Sequence, residues 1–404
     1  MTISRVVTLE PLIRFPEFHD VWRGIPLSSV IHAMVQPSDD TYPLFSLTIE
    51  NGVTEKTDRY ERSFLVGDES EAYVSIYKNQ FAYNPMNLRF GALARHVRDF
   101  PVNISRYYDV FSVKEGYSPE FLESLFLTFP SIKYYNRMAT GSLLEKKRVH
   151  FSEFKEFVFP IPSIEEQRKI ASFLSSVDSK RTKLREKREL LETYKRGMMQ
   201  KLFSQELRFK SDDGCEFPAW KAFKLIQRGR FIGGGTPSTD VKSFWQGHMP
   251  WISSSDIRDG NIYQPKINRY INDAAIKESA TKVVPKGSLL IVSRVGVGKL
   301  SVSECELCTS QDFTNFVPEN DNSYFLAYLL ISEKRRLLSI SQGTSIKGFT
   351  VEDLANLRLT LPCRDEQQKI ADCLSTIDKK IDAVAQQIVQ METFKQGLLQ
   401  KMFV

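Results

Sequence analysis

Toward the end of the chain apolar residues recur every seven positions. Ile370, Ile377, Val384, Met391 and Leu398 form one series, and Leu374, Ile381, Ile388 and Met402 a companion series that only Lys395 interrupts. The same beat occurs earlier, in Ile170, Val177, Leu184, Leu191 and Met198 with Leu174 and Leu202, but there Arg181, Arg188 and Lys195 break the seam. Five sustained heptads predict two helices of about 40 residues, each roughly 60 Å long. A lone helix cannot bury such a stripe. Two in one chain can bury each other as an antiparallel pair, and pairing with another chain is the alternative. The basic residues in the first seam are expected to snorkel at its edge or to meet acids such as Asp378, Asp382 or Glu392.

The two segments are copies. Pro162–Ser204 aligns with Pro362–Val404 without a gap, with 17 identities in 43 positions. The identities gather at the ends: "EQ.KIA..LS..D.K" at the start and "ET.K.G..QK.F" at the close. Proline opens each copy, acids sit in the first turn and lysine in the last, as a helix macrodipole prefers.

Before each helix, the pattern changes to short β-like runs with turn chemistry, such as "YPLFSLTIENG" and "MPWISSSDIRDG". Helical patterns follow around Pro119–Met138 and Tyr324–Ile340. Then comes a Gly-Ser/Thr turn, "ATGSLLEKKRVHFSEFKEFVFPIP" against "SQGTSIKGFTVEDLANLRLTLP". At the same offset of 200 residues Lys147 meets Lys347, Phe154 meets Leu354 and Phe157 meets Leu357. The expected organisation is a mixed α/β chain in four segments: a globular head over 1–161, a helix over 162–204, a second head over 205–361 and a second helix over 362–404. It is a pseudo-twofold tandem repeat with divergent heads.

Composition alters this picture little. The 404 residues are 42% hydrophobic and 26% charged, and no apolar run approaches the ~18 residues of a membrane span. The N-terminal "MTISRVVTLEPLIRF" lacks a signal-peptide core. Five cysteines without a framework pattern favour a reducing, cytoplasmic setting. The net charge of +6 is unevenly spread: −2 over 1–161, +5 over 162–204, +3 over 205–361 and zero over 362–404. A solvated helix face explains the basic first helix about as well as a polyanionic partner does.

With these parts in order, the chain resembles the specificity subunits of type I restriction–modification enzymes. The resemblance rests on the two "P...EQ.KIA..L...D" helices closing in "K.G..QK.F" ("K.GLLQK.F" in the second), on "GGGTPST" with "W.G.MPWISSSDI" in the second head, and on "FAYNPMNLRFGAL" in the first. It implies a non-catalytic DNA reader. Each head becomes a target recognition domain reading one half of a bipartite, asymmetric duplex target, and the two helices an antiparallel coiled-coil spacer. It also implies two methylation subunits that use S-adenosylmethionine (SAM) to methylate an adenine in each half. Two restriction subunits using ATP and Mg add cleavage, and no cofactor is expected on this chain. Two unlike heads on a rigid spacer agree with two unlike half-sites at a fixed gap, near one helical turn. An adenine inside duplex must be flipped before methylation, and a reader positions the enzyme that flips it.

Several motifs point elsewhere. "FIGGG" (Phe231–Gly235) fits a SAM-binding F-x-G-x-G loop, and "YNPM" (Tyr83–Met86) faintly matches the N-P-P-Y motif that grips a flipped adenine. Together they define the alternative of a stand-alone adenine methyltransferase. The second motif lacks its second proline, however, and a tight polar loop explains the first. "SRVGVGKL" fails as a phosphate loop because Ser293 stands where glycine is needed. "CELC" is a lone CxxC, two ligands short of a zinc site, and no metal is expected. The five histidines are scattered, so no triad is expected. A coiled-coil scaffold that binds no DNA is a further alternative.

Base and phosphate recognition needs Arg, Lys, Asn, Gln or hydroxyl side chains on loops. In the first head the candidates are Asn84, Arg89, Arg95, Arg137, Thr140, Lys146, Lys147 and Arg148. In the second they are Thr236, Ser253, Ser254, Ser255, Arg294, Lys299, Gln311, Thr344 and Lys347. Capped turns and solvated charges are the ordinary explanation for each. Docking of the methylation subunits is expected at the shared helix ends: Glu166, Gln167, Lys169 and Asp178, with Glu366, Gln367, Lys369 and Asp378. Simple complementation of the helix N-termini explains the two glutamates equally well.

Overall fold

A computed structural model describes residues 10–55, 72–141, 147–263, 265–340 and 348–403. The chain divides into two units, Met1–Arg185 with Gln386–Val404, and Glu186–Ala385. Two long helices, Ile164–Phe203 and Arg364–Lys401, run through this division. Each unit therefore holds one head, the N-terminal part of one long helix and the C-terminal part of the other.

In the first unit Ile170, Ala171, Leu174 and Val177 share a core with Leu398, Met402 and Phe403. In the second, Ile370, Ala371, Leu374 and Ile377 share one with Met199 and Leu202. The expected apolar seam is thus buried at both places. The helices run antiparallel: within the first unit Lys395 pairs with Asp178 at 2.8 Å and Arg185 with Glu392 at 2.6 Å. Within the second, Lys195 pairs with Asp378 at 2.6 Å, so this seam lysine meets one of the acids expected for it. Arg181 and Arg188 turn instead to acids on their own helix, Asp178 and Glu192.

The two heads share a sheet plan that their sequences hide. In the first, four antiparallel strands lie in the order Ile31–Ala33, Asp109–Val113, Phe81–Tyr83, Leu93–Arg95. In the second the order is Gly229–Gly233, Phe313–Pro318, Leu289–Val292, Leu300–Val302. In each case the first strand pairs with the last, the last with the second, and the third lies at the edge. Both heads then continue with helices, Pro119–Phe126 and Phe129–Met138 in one, Ser323–Ser332 and Lys334–Ile340 in the other. Side chains at Ser118, Thr128 and Asn322 cap the first three of these by accepting from backbone N–H groups. A strand pair closes each head, Arg23–Pro26 with Val158–Ile161 and Lys221–Lys224 with Arg358–Leu361.

The heads fill this plan differently. The first core is aromatic, with Phe81 and Phe111 stacked at 5.1 Å and Phe121, Phe126, Phe154 and Phe157 around them. The second adds another four-stranded sheet in which Met249–Ile252 runs parallel to Leu307–Thr309.

Candidate nucleic-acid interface

The repeated Glu-Gln at each helix start has a structural role. Glu166 is buried and accepts both Nε and Nη2 of Arg14 at 2.7 Å. Glu366, fully buried, takes the same fork from Arg208 at 3.0 and 2.7 Å and adds the Trp220 indole N–H at 3.2 Å. These bonds hold both guanidinium groups above their ordinary pKa. Gln167 accepts the backbone N–H of Ser118 and donates to Pro162 O. Gln367 does the same with Asn322 and Pro362 and also donates to Asp321. Each glutamine thus ties the long helix to the first turn of a head helix. Four of the residues named for partner docking have internal roles. Glu166, Gln167, Glu366 and Gln367 are buried with their polar atoms engaged internally, so they hold head to helix. Lys169 and Lys369 pair with Glu17 and Asp212 beside these seams. Asp178 is taken by Lys395 and Arg181. Asp378 is buried under Lys195 and the Tyr328 hydroxyl at 2.6 Å. Burial, and then the Asp378 charge, push the Tyr328 phenol well above its usual pKa.

The partners Arg14 and Arg208 escaped the sequence analysis, although a signal was present. "LIRF" (Leu12–Phe15) and "ELRF" (Glu206–Phe209) place an Arg-Phe pair near the start of each head. Ile13 N–H donates to Lys401 O and Leu207 N–H to Lys201 O, so the two pairs are anchored alike.

In the second head the candidate polar residues converge on the turn Ser310–Asp312. Ser293 donates its N–H to Asp312 O at 2.8 Å, which places neighbouring Arg294 at this turn. Ser254 Oγ and Ser310 Oγ lie 3.5 and 3.3 Å from the Asp312 carboxylate, and Thr236 donates to the Gln311 side chain. Ser253 bonds Ser255, and its N–H and hydroxyl both meet Asp256. Arg269, which sequence patterns did not single out, bridges Ser253 and Asp256 and lies 4.6 Å over the Trp251 ring. The serines therefore build the turn, while Arg294 is exposed at it and Lys299 closes the adjoining edge hairpin. Thr344 and Lys347 lie outside the described residues.

In the first head Thr140 and Arg148 bond each other's backbone, and Val149 N–H donates to Pro85 O. This joins exposed Arg148 and its neighbour Lys147 to the edge hairpin that carries Asn84 and Arg89. Arg137 belongs to the helix packed on that hairpin and lies over the Tyr134 ring. Asn84 caps the turn by accepting Met86 N–H. Arg95 is held by Glu120, Glu123 and Asn79, as an internal ion pair rather than a free cation. Lys146 lies outside the described residues.

Two of the three glycines of "FIGGG" pack against this chain's own backbone: a Cβ on Gly234 falls 1.9 Å from Ser310 O and one on Gly235 falls 2.4 Å from Ala280 C, whereas one on Gly233 meets open space. Burial pushes the Cys308 thiol up to about 11. Among the described residues no group of three His, Cys, Asp or Glu is placed to hold a metal ion, and no helix is long and apolar enough to cross a membrane.

Two heads of one plan, each clamped to a long helix and bearing a polar tip, describe a two-module binding protein. The sequence model for the type I restriction modification DNA specificity domain matches residues 94–192 and 219–393, and the chain belongs to this family. It is 32% identical over 207 residues to the type I restriction enzyme MjaIX specificity subunit of Methanocaldococcus jannaschii, covering 50% of this chain and about half, 48%, of that protein. The fold is similar to the type I restriction–modification S subunit from M. genitalium (TM-score 0.59, 14% identity, 98% of this chain and 99% of that one). It is also similar to a chain from a structure on complex assembly and conformational transition of the type I R-M system (TM-score 0.56, 18% identity, 95% and 97%).

Proposed function

We propose that this chain is the DNA sequence reader of a type I restriction–modification complex. Each head reads one half of a bipartite, asymmetric target, and the chain itself catalyses nothing. One observation carries this reading. The two heads share a sheet order and the same Arg–Glu and Gln attachments, yet present unlike tips, one built from a Pro-Met-Asn hairpin and the other from serines around Asp312. Shared mounting with divergent tips is what two readers of different half-sites require.

Two methylation subunits, carrying SAM, and restriction subunits using ATP and Mg are the partners this role calls for. With the Glu-Gln pairs internal, the docking surface for methylation subunits falls to helix residues around them, such as the exposed Lys169 and the half-buried Lys369. Exchanging residues 205–361 for the corresponding head of a relative with a different target tests the reading. The half-site read by the second head should change while the other half and the gap persist. A change in both halves contradicts modular reading.

A further inference from the structure

The edge hairpins of the two heads are equivalent in a way their sequences conceal. Both join the second and third strands of the shared sheet, Phe81–Tyr83 to Leu93–Arg95 and Leu289–Val292 to Leu300–Val302. Both receive the same tie from the segment before the closing strands. Val149 N–H donates to Pro85 O at 3.0 Å, and Phe349 N–H, 200 positions on, donates to Ser293 O at 3.1 Å.

Otherwise unlike, the two tips have one pairing of side chains in common. Arg89 is followed by Phe90, which is 51% exposed, and Arg294 by Val295, 61% exposed. Left-handed glycines set the turns: Gly91 at φ +90° after Phe90, and Gly296 and Gly298 at +90° and +85° after Val295. The Arg89 guanidinium lies 4.4 Å over the Phe90 ring, and its Nε is buried with no hydrogen-bond partner among the described residues. Exposed apolar side chains such as Phe90 and Val295 gain little from the head interior and are free to meet a ligand. Two otherwise dissimilar heads thus each carry an arginine followed by an exposed apolar side chain on the same hairpin, Arg294 next to the tie at Ser293 and Arg89 four residues beyond the tie at Pro85, with Arg148 and Lys299 as further cations on these segments.

We propose that these two hairpins are the elements that enter the DNA major groove. Arg89 and Arg294 each take a guanine edge, and Phe90 and Val295 each seat against a thymine methyl. A two-stranded ribbon fits the major groove, arginine forks onto guanine O6 and N7, and apolar side chains contact the thymine methyl. The inference rests on the reader function proposed above and names the residues that carry it.

The test compares adenine-methylation maps from cells in which the full chain, with its methylation subunits, is wild type, R89A/F90A or R294A/V295A. Exposed Lys277→Ala serves as a control expected to match wild type. The first double variant should relax the requirement for G·C or T·A at adjacent positions of one half-site only, and the second at positions of the other half only. R89K and R294K keep charge and bulk, and decide the matter where an alanine variant fails to accumulate. Each should lower discrimination for the affected guanine by about tenfold or more. Wild-type stringency at every position, relaxation in both halves from one variant, or relaxation confined to positions lacking G·C and T·A overturns the inference. A wild-type map without any split motif instead overturns the reader function itself, and that failure is visible before any variant is made.

Discussion

Glu366 and Arg208 are 158 positions apart in sequence, yet their fork holds the second head to its helix with the carboxylate wholly buried. Removing one partner strands the other. Arg208→Ala should therefore lower the stability of this unit by about 3 kcal/mol, read as a shift in denaturation midpoint, whereas breaking the exposed Lys78–Asp99 pair should leave the midpoint unchanged. Loss of the Arg208 fork without a shift contradicts its role as a clamp. Tyr328 adds a pH dependence. Its phenol pKa is raised in the fold by burial and by Asp378 above the ordinary value of 10.0. The stability it contributes is fully present below pH 10 and is lost as pH rises above it, because the unfolded chain releases that proton first. Tyr328→Phe should thus cost about 1–3 kcal/mol at neutral pH, through the lost bond to Asp378, and should flatten the decline in stability above pH 10. An unchanged alkaline profile in this variant contradicts the assignment. These residues were visible in the sequence without their partners. Acids in a first helical turn ordinarily face water and complement the dipole, and nothing local signals a guanidinium from a distant segment.

The long helices were the most legible elements because a seven-residue beat over five heptads has few other structural solutions. Leu374 and Leu190 show what the beat encodes and what it leaves out. Leu374 lies on the seam and is fully buried, while Leu190 lies off it and is 70% exposed. Leu374→Ala should cost about 2–5 kcal/mol by denaturation and Leu190→Ala almost nothing, and equal costs contradict the seam. The heads were legible only as alternating short strands and helices. Their sheet order was hidden because many strands span three or four residues and several are buried on both faces, as in Phe81–Tyr83 and Leu289–Val292, so no period-2 pattern survives. Of the DNA candidates, the serines of "WISSSDI" were noticed for their hydroxyls, but those hydroxyls mostly build their own turn. Arg89 and Arg294 were picked separately, and only the fold shows that they lie on equivalent hairpins of the two heads.

For the whole chain, repetition carried the information. Two copies of a helix, each following a head of similar length and different sequence, imply one mounting used twice, and the Arg14–Glu166 and Arg208–Glu366 forks are that mounting. The proposed reader has a consequence for length. Inserting one heptad at matching positions of both long helices adds about 10 Å of helix, and the target gap should grow by roughly three base pairs with both half-sites intact. An unchanged gap contradicts the spacer role. The most direct measurement is a genome-wide adenine-methylation map of cells with and without this chain, its methylation subunits present in both. The account predicts that one split, asymmetric motif loses methylation in both halves when the chain is absent. Identical maps contradict the claim that this protein reads DNA sequence for its complex.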